Sequence, residues 1–219
     1  DKSCKIVFRG CLKDEARLLE KVKAGKTRVF YMTPLAYLIM QRMFLMPFYS
    51  LMIEFAAEFY AAIGVDMHRE AGVIYKRMRD FSQLIIEGDF GGYDTSMPVE
   101  IGRGAGTLVH DMLKSFGYSD DCLIICRGLL SDCLFVNVEI SGEMFTIDGL
   151  QPSGKYATAE DNCLRNLIIQ LITYENSGCK MSTFFKNLLP VAYGDDVLMA
   201  VKPAVRDKFN AIVFSELSA

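Results

Sequence analysis

From residue 34 to residue 63 apolar side chains recur at helical spacing, with Gln41, Arg42, Glu54 and Glu58 marking the wetter faces and Gly64 closing the run. The pattern predicts one or two buried helices. Its longest charge-free stretch, residues 43–53, contains Pro47 and covers 11 residues, whereas a bilayer requires roughly 20. No transmembrane segment is expected. Residues 75–80 are polar and charged. Residues 81–90 then read as a strand whose Leu84-Ile85-Ile86 centre suits burial on both faces, and which delivers Glu87-Gly88-Asp89 to its end.

Further along, Pro98 suits the first turn of a helix running to about residue 116, across Gly102, Gly104 and Gly106. A second helix, from 119 to about 134, starts on Ser-Asp-Asp, where a hydroxyl cap and acidic groups suit the dipole. Residues 135–147 alternate around Ser141-Gly142 and predict a hairpin. After a Gln-Pro-Ser-Gly loop comes a helix over 157–174, then two short apolar strands within 188–201 around Tyr193-Gly194-Asp195-Asp196. An amphipathic helix over 203–217 ends the pattern. The most basic part is N-terminal: Lys13, Arg17, Lys21, Lys23, Lys26 and Arg28 lie close together. There Gly25-Lys26-Thr27-Arg28-Val29-Phe30 passes from a turn into a β-favouring run.

Composition narrows the chemistry. With 219 residues, 51% of them hydrophobic, the chain can bury a core. A formal net charge of -3 confines any polyanion-binding surface to local patches. Seven cysteines, Cys4 included, are scattered without a Cys-x-x-Cys pair and read as free thiols in a reducing compartment. The opening residues lack the apolar core of a signal peptide. With His68 and His110 the only histidines, imidazole chemistry has little material, and carboxylates are the better candidates.

Two acidic segments lie at a strand end or turn: Asp89-Phe90-Gly91-Gly92-Tyr93-Asp94, and Tyr193-Gly194-Asp195-Asp196. Adjacent carboxylates repel and raise each other's pKa unless a divalent cation neutralises them. Hard oxygen ligands select Mg²⁺, with Mn²⁺ as the alternative. Two such ions can activate a 3′-hydroxyl and stabilise a leaving pyrophosphate. A lone Gly-Asp-Asp is more often an ordinary hairpin turn. A third segment changes that balance: residues 151–162 run from a Ser-Gly loop into a helix that sets Thr158 and Asn162 one turn apart on one face.

In order and spacing these segments resemble the palm motifs of picornavirus-like RNA-dependent RNA polymerases. Asp89 to Asp94 is similar to motif A, Pro152-Ser153-Gly154 through Asn162 to motif B, and Tyr193-Gly194-Asp195-Asp196 to motif C. Lys13 to Arg17 with Gly25 to Arg28 resembles motif F of the fingers. Lys155, Tyr156 and Ala157 depart from the small residues of some members.

The resemblance implies an α+β right-hand fold: an antiparallel palm sheet backed by helices, with part of the fingers and no thumb. Residues 1–80 would be partial fingers with motif F. Residues 81–219 would be palm, cut within motif D, in a fragment of a longer polyprotein. It implies RNA-directed RNA polymerisation, with Asp89, Asp195 and Asp196 as catalytic and metal residues for two Mg²⁺ ions. Asp94, Thr158 and Asn162 would sense the ribose; Ser153 and Gly154 would contact template and nucleotide. Lys13, Arg17 and Arg28 would face the triphosphate. Tyr93 and Tyr193 would serve packing or backbone positioning. The implied partners are RNA template and primer, ribonucleoside triphosphates and a protein primer, at membrane-associated replication complexes in the host cytoplasm. A reverse transcriptase-like palm and a non-catalytic RNA-binding palm fragment are the competing readings. Asp94 with Asn162 favours ribonucleotides over the former, and the intact aspartates oppose the latter.

Overall fold

A computed structural model describes residues 5–218; Cys4 and the rest of the opening segment lie outside the described residues. Two compact units alternate along the chain, the first from Asp1–Pro47 with Gly92–Thr158, the second from Phe48–Gly91 with Ala159–Ala219.

The first unit is organised by a four-stranded sheet of order β2-β1-β4-β5. Its strands are β1 (Val7–Leu12), β2 (Val29–Met32), β4 (Phe135–Ile140) and β5 (Glu143–Asp148). The last two form the hairpin expected around Ser141-Gly142. β1 was not legible as a strand. It joins β2 antiparallel and β4 in parallel, a pairing between residues more than a hundred positions apart that no local pattern encodes. Phe8, Tyr31, Tyr37, Val136, Val138 and Leu150 form the core of this unit. A short helix α1 (Leu19–Lys23) follows β1. Helices α5 (Val99–Ser115) and α6 (Asp120–Asp132) match their predicted positions. Pro98 is the cap before α5, and the Ser119 hydroxyl caps α6 by accepting from the Cys122 N–H.

The apolar run from residue 34 folds as one helix, α2 (Leu35–Glu54), which continues through Pro47. Among the described residues it is the one helix long and apolar enough, by length and composition, to cross a membrane. Gln41, expected on a wet face, is buried: its amide donates to Cys133 Sγ at 3.3 Å and its oxygen accepts from the Tyr156 N–H at 3.2 Å. Glutamine is tolerated there because both ends of its amide are satisfied.

The second unit is built on a three-stranded antiparallel sheet of order β3-β7-β6. Its strands are β3 (Leu84–Gly88), β6 (Leu188–Tyr193) and β7 (Asp196–Val201). β6 and β7 are covered on both faces. Leu188, Val197, Met199 and Val201 pack with Tyr174, Phe184, Phe209 and Phe214, while Leu189, Val191 and Ala200 pack with Ala62 and Met78. β3 was expected to bury both faces. It is an edge strand and alternates instead, with Leu84, Ile86 and Gly88 inward and Ile85 and Glu87 exposed.

Residues 75–80, assigned to no element from sequence, belong to helix α3 (Met67–Phe81), which also takes Phe81 from the expected strand. Its start signal is Asp66, whose carboxylate accepts from the His68 N–H while Glu70 accepts from the Asp66 N–H. Helix α7 (Thr158–Asn176) is close to expectation. The helix expected over 203–217 is broken: a 3-10 turn at Pro203–Val205 is followed by turns, and α9 (Ala211–Leu217) starts anew on an Asn210 cap. Asn210 accepts from two backbone N–H groups, and a capping residue placed mid-pattern interrupts helix that amphipathicity alone would continue. Two further short helices are α4 (Tyr93–Ser96) and α8 (Phe184–Asn187), the latter entered through a 3-10 turn at Met181–Thr183.

Candidate functional site

In the second unit, β3 and β7 pair antiparallel with Gly88 opposite Val197, so the next register step sets Asp89 beside Asp196. Tyr193 faces Asp196 across the β6–β7 hairpin, which leaves Gly194 and Asp195 as the two turn residues. Gly194 takes φ 62° while Asp195 keeps a negative φ, the combination for which glycine is favoured at the first turn position. Asp89, Asp195 and Asp196 are all exposed, though Gly194 between them and the strand is buried. The Asp196 carboxyl is raised above its ordinary range, first by desolvation and then by the charges of Asp195 and Asp89. Three carboxylates expected from sequence to act together therefore lie close enough to feel each other.

The buried Gly194 peptide is held from below by α7. Cys163 Sγ accepts from the Gly194 N–H at 3.3 Å and donates to the Ala192 carbonyl at 3.3 Å. Burial pushes the Cys163 thiol up to about 12, so it stays protonated and can fill both roles. Asn166 Nδ2 donates to the Gly194 carbonyl at 2.8 Å. Sequence reasoning passed over both residues, although their i, i+3 spacing on an apolar helix face was visible.

A cleft of about 730 Å³ opens beside the aspartates, lined by Asp89, Asp196, Glu87, Tyr193, Met67 and Ile74 among others. Tyr193, expected to serve packing or backbone positioning, is 56% exposed, which speaks against the packing role. As the last residue of β6 it falls on the cleft face of the hairpin. Tyr93 is buried, as expected.

The first unit gathers the other candidates, except Asn162 of the second unit, into two groups. The Ser153 hydroxyl donates to Asp94 Oδ2, and the Gln151 N–H donates to the Asp94 carbonyl at 2.8 Å, so the expected motif A and motif B positions are joined directly. Burial and then the Asp94 charge push the Tyr31 phenol up. Gly154 lies against β2: a Cβ there would sit 2.1 Å from the Tyr31 carbonyl oxygen, and its own carbonyl accepts from Thr33 Oγ1 at 2.9 Å. Only glycine permits that approach. Thr158 Oγ1 donates to the Lys155 carbonyl at 3.1 Å, and the Tyr156 ring lies under the Arg42 guanidinium.

The basic segment converges on one carboxylate. Arg17 donates to Glu15 Oε1 from Nη2 at 2.7 Å and from Nε at 2.9 Å; Arg28 Nη1 lies 3.8 Å from Glu15 Oε2. Arg17, then Arg28 and Lys13, hold the Glu15 carboxyl below its ordinary range. The Lys13 N–H donates to the Arg28 carbonyl at 2.9 Å, which fixes the two cations' backbones together. Asn162 is buried on α7. The six described cysteines outside the N-terminal segment are all free thiols.

Residues 2–217 match the family model described as viral RNA-dependent RNA polymerase. The chain is 30% identical over 225 residues to the replicase polyprotein of cricket paralysis virus, covering 96% of this chain and 13% of that polyprotein. To the genome polyprotein of human hepatitis A virus genotype IA, isolate HAS-15, it is 32% identical over 201 residues, 89% of this chain and 9% of that polyprotein. A sicinivirus 3Dpol RNA-dependent RNA polymerase shares its fold with a TM-score of 0.80 at 19% identity, over 97% of this chain and 43% of that one. The chain thus spans a small part of the viral polyproteins it matches, and less than half of the polymerase.

Proposed function

The chain belongs to the viral RNA-dependent RNA polymerase family, and from that premise we propose that it supplies the metal- and nucleotide-handling core of a template-directed RNA polymerase. One observation carries the reading. Asp89, Asp195 and Asp196 are exposed together at adjoining strand ends of one sheet, with Asp196 destabilised as an anion first by desolvation and then by the other two. Such a cluster is costly to hold without a cation.

The family's chemistry relies on divalent metal ions, and the donor set fits Mg²⁺. Among the described residues no three His, Cys, Asp or Glu side chains form a ready-made cage. Mg²⁺ needs none, because it keeps waters and takes one or two carboxylates together with substrate phosphates. Asp89 and Asp195 would hold two such ions, or Mn²⁺ in their place, with Asp196 in support. Bound there, the ions supply Lewis-acid activation of a 3′-hydroxyl and stabilise the departing pyrophosphate.

The protein's own groups do the rest. Asp94, anchored by Ser153 and Gln151, is assigned by motif to the ribose, as are Thr158 and Asn162. A 2′-hydroxyl both donates and accepts, so polar groups there favour ribonucleotides. Ser153 and Gly154 contact template and nucleotide. Lys13, Arg17 and Arg28 receive the triphosphate, with Glu15 orienting the guanidinium of Arg17. By motif, residues 1–80 are assigned to the fingers and residues 81–219 to the palm. RNA template, primer and ribonucleoside triphosphates are the substrates, with a protein primer as a further partner. The relatives are polyproteins, and we place this chain likewise within a viral polyprotein, at membrane-associated replication complexes of the host cytoplasm.

Asp195→Ala in the full-length polymerase tests the reading. Nucleotide addition should be abolished while the far-UV circular dichroism and melting profile stay those of wild type, since an exposed turn carboxylate contributes little to packing. Incorporation at the wild-type rate would sink the assignment.

A further inference from the structure

We propose that Cys163 and Asn166 on α7 are positioning residues that clamp the Gly194 peptide and so fix where Asp195 and Asp196 stand; the proposal rests on the metal-binding reading above. The turn has an inherent weakness. A two-residue connection containing glycine is easily deformed, and here it carries two carboxylates that repel each other and Asp89. Left to the strands alone, the hairpin tip would relax by splaying the aspartates apart.

The structure opposes this at consecutive backbone groups. Ala192, near the end of β6, is held on the side of residues 60–62: its N–H donates to the Tyr60 carbonyl at 2.9 Å and its carbonyl accepts from the Ala62 N–H at 2.8 Å. Two residues on, the Gly194 N–H meets Cys163 Sγ and the Gly194 carbonyl meets Asn166 Nδ2, at 3.3 and 2.8 Å. The N–H of the peptide unit preceding Gly194 Cα and the carbonyl of the unit following it are thus tied to one helix. Cys163 is 2% exposed and Asn166 fully buried, so water does not compete for these bonds. Cys163 adds a second anchor by donating to the Ala192 carbonyl, which couples the strand end to the turn through one side chain.

Neither residue touches the reacting atoms; each acts through the backbone from which the aspartates project. The effect of removing one differs from that of removing a ligand. The carboxylates remain, but their separation is no longer enforced, so metal affinity falls without being abolished.

The test uses the full-length polymerase, with amide hydrogen exchange read by NMR and Mn²⁺ binding read by electron paramagnetic resonance. Cys163→Ala should speed exchange of the Gly194 amide by on the order of tenfold, as expected for one lost buried hydrogen bond, while amides of β4 keep their protection. Mn²⁺ affinity should drop by about tenfold, the lower end of what the loss of a group that orients metal ligands costs. Cys163→Ser retains a donor and an acceptor and should restore both readouts toward wild type. Asn166→Ala should weaken Mn²⁺ binding similarly, and keeps the question answerable should Cys163→Ala fail to fold. Wild-type Mn²⁺ affinity in Cys163→Ala and Asn166→Ala, with Asp195→Ala unable to bind, overturns the clamp and leaves the metal reading intact. Equal Mn²⁺ binding by Asp195→Ala and wild type overturns the metal reading, and the positioning role with it.

Discussion

The β4–β5 and β6–β7 hairpins share a plan: two six-residue strands joined by two residues, Ser141-Gly142 in one and Gly194-Asp195 in the other. Their surroundings differ. β5 lies almost wholly in solvent, and its turn has both residues at positive φ, 55° and 88°, with Glu139 accepting from the Gly142 N–H at 2.6 Å. β4 is anchored by β1 and the core, but the tip of this hairpin is bonded only within itself. β6 is buried along its first five residues, and the β6–β7 tip is bonded to α7. A similar local plan gives a solvent-facing tip in one unit and a fixed platform for carboxylates in the other. What distinguishes them is a helix supplied from elsewhere in the chain.

The comparison breaks most sharply at the helix. Helix α7, which holds the β6–β7 tip, also carries a buried ion pair, Arg165 Nε to Asp161 Oδ2 at 2.9 Å, with both side chains almost fully enclosed. Arg165→Ala leaves a buried carboxylate without its guanidinium and should cost about 3–5 kcal/mol. In the other hairpin, Thr146→Ala removes an exposed hydrogen bond to Asn137 and should change stability by less than about 0.5 kcal/mol. Urea denaturation of the two variants measures the contrast, and a cost below about 1 kcal/mol for Arg165→Ala would show that the helix is not the rigid support claimed.

Turn residues sharpen the comparison at a smaller scale. Gly194→Ala forces an L side chain to positive φ and should lose about 1–2 kcal/mol. Ser141→Gly removes that same penalty and should gain up to about 1 kcal/mol. Opposite signs in thermal melts are the expected result; the same sign for both would mean that context outweighs backbone conformation at one of them.

The smallest effect is a pH dependence at the foot of the first hairpin. Asp132, closing α6 just before β4, has its carboxyl raised above 3.8 by burial, partly offset by the Tyr37 hydroxyl. The folded state therefore holds this proton more tightly than the unfolded chain, and the neutral form is the favourable one. Stability should fall as pH rises from 3.8 through the raised value, and Asp132→Asn should flatten that part of the profile. Denaturation midpoints across the acid range check it; an unchanged profile in the variant would assign the slope to other groups.

The sequence by itself determined whatever depends on neighbours along the chain. Alternation around Ser141-Gly142 and two short apolar runs around Tyr193-Gly194-Asp195-Asp196 located both hairpins, and the run leading to Asp89 located its strand, because residue pattern and turn chemistry are local. The order of the acidic and Ser-Gly segments sufficed for the family. It also singled out Asp89, Asp195 and Asp196 before their sheet was known. Helix α3 was missed though its Asp66 cap was in plain view, because charge in residues 75–80 obscured the amphipathic face. Tertiary structure alone decided the rest: that β1 joins β4 in parallel, that β3 is an edge with one wet face, that Gln41 is buried and Tyr193 exposed. It also decided that Cys163 and Asn166 meet Gly194, some thirty residues away. Burial and long-range hydrogen bonds are properties of pairs of distant segments, and a residue's type and its immediate neighbours do not specify which distant backbone group it will meet.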